Sequence, residues 1–182
     1  NGKITSQSFE RGLACLHRFK LLMRQYPLQR YWALGTNTFR TADNANDFIH
    51  SAKTVGIDIS IISGFQEASL IYAGVLTALP RSQAHRLVFD IGGGSTEVVV
   101  GKNQKRLLAE SLPIGSVAWR DRFFSGGACS RAELASQMSE GSEEAFSAFS
   151  TLASGIVSVG WDEAYASSGT VKMLANICER YG

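Results

Sequence analysis

The alternation of apolar and polar residues predicts an α/β protein. In the first half, apolar residues recur at helical spacing between residues 6 and 26. A strand, a helix, a second strand and a third helix are predicted to follow, at residues 31–34, 43–54, 57–62 and 65–76. The second half predicts three strands, two helices, a strand and a last helix, at residues 86–91, 96–101, 106–111, 116–124, 131–155, 161–166 and 171–181. This order is typical of a layered domain with a mixed sheet, and Leu174 and Ile177 of the last helix are expected to face inward.

The strongest local pattern is a glycine-rich turn between the first two strands of the second half. It consists of Gly92, Gly93, Gly94, Ser95 and Thr96. Glycines let backbone N–H groups approach an anion closely, and the two hydroxyls add donors, so the turn suits a phosphate chain. A triple glycine is also a common tight hairpin, so the turn alone does not decide between structure and function.

Two acids flank this turn and favour a functional site. Asp90 ends a buried apolar strand, where a carboxylate is costly to desolvate unless it is paired or coordinating. Carboxylates beside phosphate also repel it, so the pattern predicts a bridging divalent cation, a water-activating role, or both. Alternation along the second strand leaves open whether Glu97 faces the site or solvent.

Two further candidates follow the predicted strands of the first half. Arg40 follows a polar turn at residues 35–38 and is interpreted either as a solvated charge or as a bidentate phosphate ligand. Glu67 falls in the first turn of a helix, where an acid interacts favourably with the helix dipole. The same position lies on the side of an α/β sheet where ligands bind, which makes Glu67 a candidate general base.

Composition narrows the class of protein. The 182 residues are 45% hydrophobic and 19% charged, which fits one large domain or two small ones, with the polar residues 80–84 as the best boundary. The net charge of +2 and scattered basic residues predict no nucleic-acid partner. No apolar run reaches membrane-spanning length. Cys15, Cys129 and Cys178 share no metal-binding spacing and are expected to be reduced, either buried or incidental, so the predicted location is cytoplasmic.

Five short segments carry a resemblance to known proteins. They are residues 35–40 (GTNTFR), 62–68 (ISGFQEA), 89–97 (FDIGGGSTE), 113–116 (PIGS) and 168–170 (SGT). The glycine turn that opens the second half resembles the acetate and sugar kinase/Hsp70/actin superfamily. The five segments in this order resemble the exopolyphosphatase/guanosine pentaphosphate phosphatase family. This resemblance implies two ribonuclease-H-like (actin-like ATPase) subdomains with mixed sheets flanked by helices, at residues 1–80 and 81–182, the first incomplete.

The resemblance also implies roles for individual residues. Glu67 matches the family's catalytic base, and Asp90 and Glu97 match acids needed for metal and water, which implies Mg²⁺ as the cofactor. The phosphate-binding positions that it implies are Thr36, Asn37, Thr38, Arg40, Gly92, Gly93, Gly94, Ser95, Thr96, Gly115, Ser116, Ser168, Gly169 and Thr170. All these groups are expected to line one cleft between two hinged subdomains.

The function that the resemblance implies first is release of terminal orthophosphate from inorganic polyphosphate. The alternative substrate is the guanosine pentaphosphate of the stringent response. A kinase-like phosphotransferase and a non-catalytic nucleotide-binding module are less favoured, and a homodimer is allowed. Family members begin with a strand pair carrying an Asp-x-Gly-Ser-Asn type turn, which has no counterpart before Thr5. The chain is therefore expected to be part of something longer, and alone to bind phosphate weakly and turn over poorly.

Overall fold

The structure is a computed structural model that describes residues 2–124, 126–127 and 130–181. Its contacts divide the chain into two units, Asn1–Ser63 and Gly64–Gly182. The predicted boundary at 80/81 assigns the helix that begins at Gly64 to the first part, whereas this helix packs on the sheet of the second unit. As a boundary between subdomains, 80/81 stays a prediction.

The first unit combines three helices with a small sheet. Its elements are α1 (Ser6–Met23), β1 (Ala33–Gly35), α2 (Asn37–Thr41), α3 (Ala45–Thr54) and β2 (Ile59–Ile61). The two strands pair in parallel. The Phe48 ring lies 5.0 Å from the Phe9 ring and 5.3 Å from the Phe39 ring, so one aromatic cluster joins α1, α2 and α3.

One local prediction in this unit is wrong. Residues 36–38 were expected to form a polar turn, but Asn37 already begins α2. The Thr36 carbonyl accepts hydrogen bonds from the backbone N–H groups of Phe39 and Arg40, at 3.0 and 3.1 Å, and so begins helical pairing.

The second unit has the predicted order of elements. They are α4 (Gly64–Thr77), β3 (His85–Ile91), β4 (Thr96–Lys102), β5 (Lys105–Leu112), α5 (Ser116–Phe123), α6 (Arg131–Val159), β6 (Glu163–Ser167) and α7 (Gly169–Tyr181). The sheet order is β5-β4-β3-β6, in which β6 is parallel to β3 and the other pairs are antiparallel. The predicted mixed sheet is therefore confirmed.

Helices cover both faces of this sheet. Val88 and Val99 pack against Ala68 and Tyr72 of α4 on one face. On the other face, alternate residues of the same strands pack against the apolar side of α6. Because β4 is covered on both sides, residues 96–101 are all buried. The face that α4 covers is the one that carries the candidate site.

The last helix, α7, is less buried than predicted. In the described part of the chain, α7 packs on β3 and β6 without burying any residue. The prediction that Leu174 and Ile177 face inward is therefore wrong, since they are 49% and 47% exposed.

Cys15 is half-buried and Cys178 exposed, both as free thiols, whereas Cys129 lies outside the described residues. Across the helices that the structure describes, none is long and apolar enough to cross a membrane.

Candidate active site

Four polar side chains form a row across the sheet of the second unit. Ser111 on β5 pairs with Glu97 on β4, Glu97 pairs with Asp90 on β3, and Asp90 pairs with Ser167 on β6. Residues directly opposite each other on neighbouring strands share a face, so the two acids lie side by side with a serine on each outer flank. The structure thus brings Asp90 and Glu97 together.

Each acid of the row accepts a hydrogen bond from its neighbouring serine. The Ser111 hydroxyl donates to Oε1 of Glu97 at 2.7 Å, and the Ser167 hydroxyl donates to Oδ2 of Asp90. Glu97 is only 2% exposed, whereas Asp90 is half-buried. The alternative in which Glu97 merely faces solvent is therefore wrong.

The third acid, Glu67, approaches the row from the first turn of α4. This helix packs on the face that carries Glu97, and Glu67 is half-buried. A Cβ atom placed on Gly64 would lie 2.5 Å from the Cβ atom of Ser111, so the helix begins directly against the row. Close approach at this point requires glycine, and it places Glu67 within electrostatic range of Glu97.

The pKa of Glu97 reports how these groups act on each other. Burial raises the pKa of Glu97 above its ordinary value, and hydrogen bonds from the Ser111 and Ser95 hydroxyls lower it. The negative charges of Glu67 and Asp90 raise it further, and the net shift is upward. In the described part of the chain, no Lys, Arg or His forms an ion pair with Glu97. A buried acid without a cationic partner reduces stability, which favours a functional reason for its presence.

This shift predicts a pH-dependent stability difference. The folded chain binds the Glu97 proton more tightly than the unfolded chain does. The contribution of Glu97 to the free energy of unfolding is therefore present below its ordinary pKa of 4.5 and is lost as pH rises through its raised pKa in the folded chain. Glu97→Gln, which stays neutral, is expected to raise the free energy of unfolding at neutral pH. The difference should vanish well below pH 4.5. Chemical denaturation of the full-length protein without divalent cations measures both values.

The matched control for this change is Glu110→Gln. Glu110 is an exposed acid next to Ser111 on the same strand, and neutralising it should leave stability unchanged at both pH values. A Glu97→Gln variant that is less stable than the parent at neutral pH would contradict the assigned effect of burial.

The glycine turn that follows β3 offers backbone donors at its tip. The Gly92 N–H donates to the Ser95 carbonyl at 2.9 Å, which closes the turn. Within the part of the chain that the structure describes, no protein group accepts a hydrogen bond from the N–H of Gly93 or Gly94. Gly93 is exposed and Gly94 half-buried, so both N–H groups remain as donors for an anion.

The hydroxyls of the turn point inward instead. The Thr96 hydroxyl donates to the Ile114 carbonyl at 2.7 Å, and Thr96 is 1% exposed. Ser95 is buried as well, and its hydroxyl lowers the pKa of Glu97. These two residues therefore brace the turn in this structure, and the backbone supplies the free donors.

The start of α5 locks the turn in place. The N–H groups of Ser116, Val117 and Ala118 donate to the carbonyls of Gly92 and Gly93, at 2.9 to 3.0 Å. A Cβ atom on Gly115 would lie 2.4 Å from the backbone of Gly93 and Gly94. The turn and α5 can therefore approach this closely only because residue 115 is glycine.

This contact predicts that Gly115→Ala displaces the turn. Overpacking against backbone typically costs about 1–3 kcal/mol, and the displaced Gly93 and Gly94 donors should weaken phosphate binding. We expect a lower melting temperature and a higher KM for phosphate release in the full-length protein. The control is Gly74→Ala in α4, where a Cβ meets no atom within 4 Å and alanine favours the helix. If the two variants had the same melting temperature and the same KM, Gly115 would not be needed for the close approach of α5 to the turn.

The start of α7 joins the same cluster. Ser168 has a left-handed φ of 100°, and its hydroxyl donates to the Ile91 carbonyl at 2.6 Å, just before the glycine turn. The hydroxyls of Thr170 and Ser116 lie 3.2 Å apart. Strained backbone at a residue other than glycine is typical of functional sites. The structure therefore gathers the three small-residue segments, residues 92–95, 115–116 and 168–170, at one end of the sheet.

The predicted site residues of the first unit lie at the start of α2 and on it. Arg40 is half-buried on α2, and its Nη1 donates to the Ile62 carbonyl at 3.0 Å. Thr36 and Asn37 are half-buried and Thr38 is exposed at the start of the same helix. Their phosphate contacts, and the roles assigned to the residues of the second unit, stay predictions.

Comparison with known proteins adds an independent line of evidence. Residues 1–182 match the protein family that is described as "Ppx/GppA phosphatase family". The chain is 35% identical to a guanosine-5'-triphosphate,3'-diphosphate pyrophosphatase of Vibrio atlanticus, over 97% of this chain and 35% of that protein. It is 34% identical to a putative exopolyphosphatase of Haemophilus influenzae, over 97% of this chain and 54% of that protein. The chain thus spans about a third to about half the length of these curated relatives.

Solved structures agree with this result. A crystal structure of an exopolyphosphatase from Cytophaga hutchinsonii matches with a TM-score of 0.84 and 29% identity, over 97% of this chain and 56% of that one. The Ppx/GppA family member of Aquifex aeolicus matches with a TM-score of 0.70 and 28% identity, over 100% of this chain and 56% of that one. The predicted fold class and family resemblance are confirmed, and the chain belongs to the Ppx/GppA phosphatase family.

Proposed function

We propose that the protein containing this chain is a phosphoanhydride hydrolase that releases terminal orthophosphate from inorganic polyphosphate. The observation that supports this most directly is that two acids, Glu67 and Asp90, each lie within electrostatic range of a third, Glu97. They lie at the end of the sheet where Gly93 and Gly94 offer backbone N–H donors. Guanosine pentaphosphate is the second candidate substrate, and the name of the Vibrio relative favours it.

In this proposal Glu67 removes a proton from the attacking water. A carboxylate in the first turn of a helix, half-buried and within electrostatic range of Glu97, can act as a general base. The N–H groups of Gly93 and Gly94 hold the terminal phosphate. Arg40 of the first unit stays a predicted phosphate ligand. Phosphoryl transfer depends mainly on positioning and charge neutralisation, which these groups supply.

Asp90 and Glu97 are proposed to hold Mg²⁺ together with phosphate oxygens of the substrate. In the described chain, no three His, Cys, Asp or Glu side chains form a ready-made metal site. Two adjacent carboxylates fit Mg²⁺ nonetheless, since this ion usually takes one or two carboxylates, several waters and substrate phosphates. When bound, Mg²⁺ neutralises the charge that builds up on the transferred phosphate.

Labelled water distinguishes this function from its competitors. If the full-length protein turns over polyphosphate or guanosine pentaphosphate in ¹⁸O water, a hydrolase places one label in each released orthophosphate. A kinase-like phosphotransferase would instead transfer unlabelled phosphate to an acceptor, and a non-catalytic module would bind the substrate without consuming it. The predicted cytoplasmic location, the absence of nucleic-acid binding and the homodimer stay predictions.

A further inference from the structure

The two acids of the row carry like charges on directly opposed positions. Asp90 and Glu97 are register partners on antiparallel strands, where like charges destabilise the pair. Without other groups to bind the two carboxylates, the side chains of Asp90 and Glu97 would turn away from each other or share a proton. The row therefore needs groups that fix both carboxylates.

Hydroxyl groups do this in the described chain, not cations. Glu97 receives a hydrogen bond from Ser111, and Asp90 receives one from Ser167. A hydroxyl fixes a carboxylate without cancelling its charge, whereas an arginine would neutralise it. The pair keeps the negative charge that a divalent cation requires.

The positions of these serines also decide in which direction each hydrogen bond orients its carboxylate. Ser111 lies on β5, beyond Glu97, and Ser167 lies on β6, beyond Asp90. Each hydroxyl thus draws its carboxylate away from the other one. The next residue, Ser168, has a strained backbone and donates a hydrogen bond to the Ile91 carbonyl. This bond fixes the end of β6 against the end of β3 and so helps to hold Ser167 next to Asp90.

We propose that Ser167 and Ser111 are positioning residues that hold Asp90 and Glu97 apart, so that the gap between the two carboxylates fits a cation or a water molecule. This inference rests on the proposed function. It concerns the spacing of the acids, and neither serine needs to touch the substrate. Ser167 gives the cleaner test, because Gly64 packs directly against Ser111 and leaves no room for a larger side chain there.

The test compares Ser167→Ala, Ser167→Thr and a control, Ser150→Ala, in the full-length protein. Ser150 donates its hydroxyl to the Phe146 carbonyl on the exposed side of α6, a helix that covers the opposite face of the sheet from the row. The free energy of a hydrogen bond to a charged group corresponds to roughly ten- to a hundredfold in rate when that bond acts in the transition state. We expect Ser167→Ala to lower kcat by that factor with little change in KM, and Ser167→Thr to restore most of it. Ser150→Ala should retain the parental kcat.

A second readout does not depend on activity. In a crystal structure of Ser167→Ala, the distance between the carboxylates of Asp90 and Glu97 should differ from the parent. A kcat within about threefold of the parent, or an unchanged carboxylate distance, would overturn the positioning role and leave the proposed function intact. If the parent protein releases no phosphate, the proposed function fails, and the carboxylate distance alone decides the positioning role.

Discussion

Glu67→Gln is expected to abolish phosphate release by the full-length protein while leaving substrate affinity nearly unchanged. The amide cannot accept a proton from water, and loss of a general base typically lowers kcat by about 10²–10⁴. The near-isosteric side chain should preserve α4, because Ala68 and Tyr72 bury this helix against the sheet. Steady-state kinetics measure kcat, and equilibrium binding measures affinity.

The matched control replaces an exposed acid of the same unit. Glu110→Gln makes the same chemical change on β5, and it should retain parental kcat. A Glu67→Gln variant within about threefold of the parent would exclude Glu67 as the base, since that lies far outside the expected range.

Asp90→Asn is expected to remove most activity and to raise the Mg²⁺ concentration needed for half-maximal rate. The amide still accepts the hydrogen bond from Ser167, so the change removes charge rather than position. Glu97→Gln should act in the same direction but more weakly, because Glu97 is only 2% exposed and Asp90 is the more accessible of the two. Rate measured against Mg²⁺ concentration tests both variants. Unchanged Mg²⁺ dependence at undiminished rate in both would show that neither carboxylate takes part.

Much of the second unit could be predicted from local pattern. The apolar runs on both sides of residues 92–95 specify two strands and their turn. Helical spacing of Ala68 and Tyr72 specifies α4 and places Glu67 in its first turn. Periodicity could not decide the side of Glu97, because β4 is covered on both faces and its residues are buried regardless of which way they point.

The serines of the row were missed for a different physical reason. The Asn103-Gln104 loop brings Lys102 opposite Lys105, and a regular hairpin continued from it would place Glu97 opposite Glu110. A bulge between Val100 and Gly101 shifts the pairing by one residue and places Ser111 there instead.

Glycine permits this bulge, since a Cβ atom on Gly101 would lie 2.7 Å from the backbone carbonyl oxygen of Lys105 on β5. A glycine inside the strand pattern was the available signal for a bulge. The pairing of Ser167 with Asp90 joins strands that are distant in sequence, and no local pattern specifies the register of such a parallel pair.

Orthophosphate release by the full-length protein decides whether it is a phosphoanhydride hydrolase. Inorganic polyphosphate and guanosine pentaphosphate are supplied side by side, each with and without Mg²⁺, and the Glu67→Gln variant serves as the matched negative. We expect Mg²⁺-dependent release of terminal orthophosphate from polyphosphate, from guanosine pentaphosphate or from both, and none from the variant. Absence of release from both substrates with Mg²⁺ present would rule out the proposed function, and equal release by the variant would rule out Glu67 as the base.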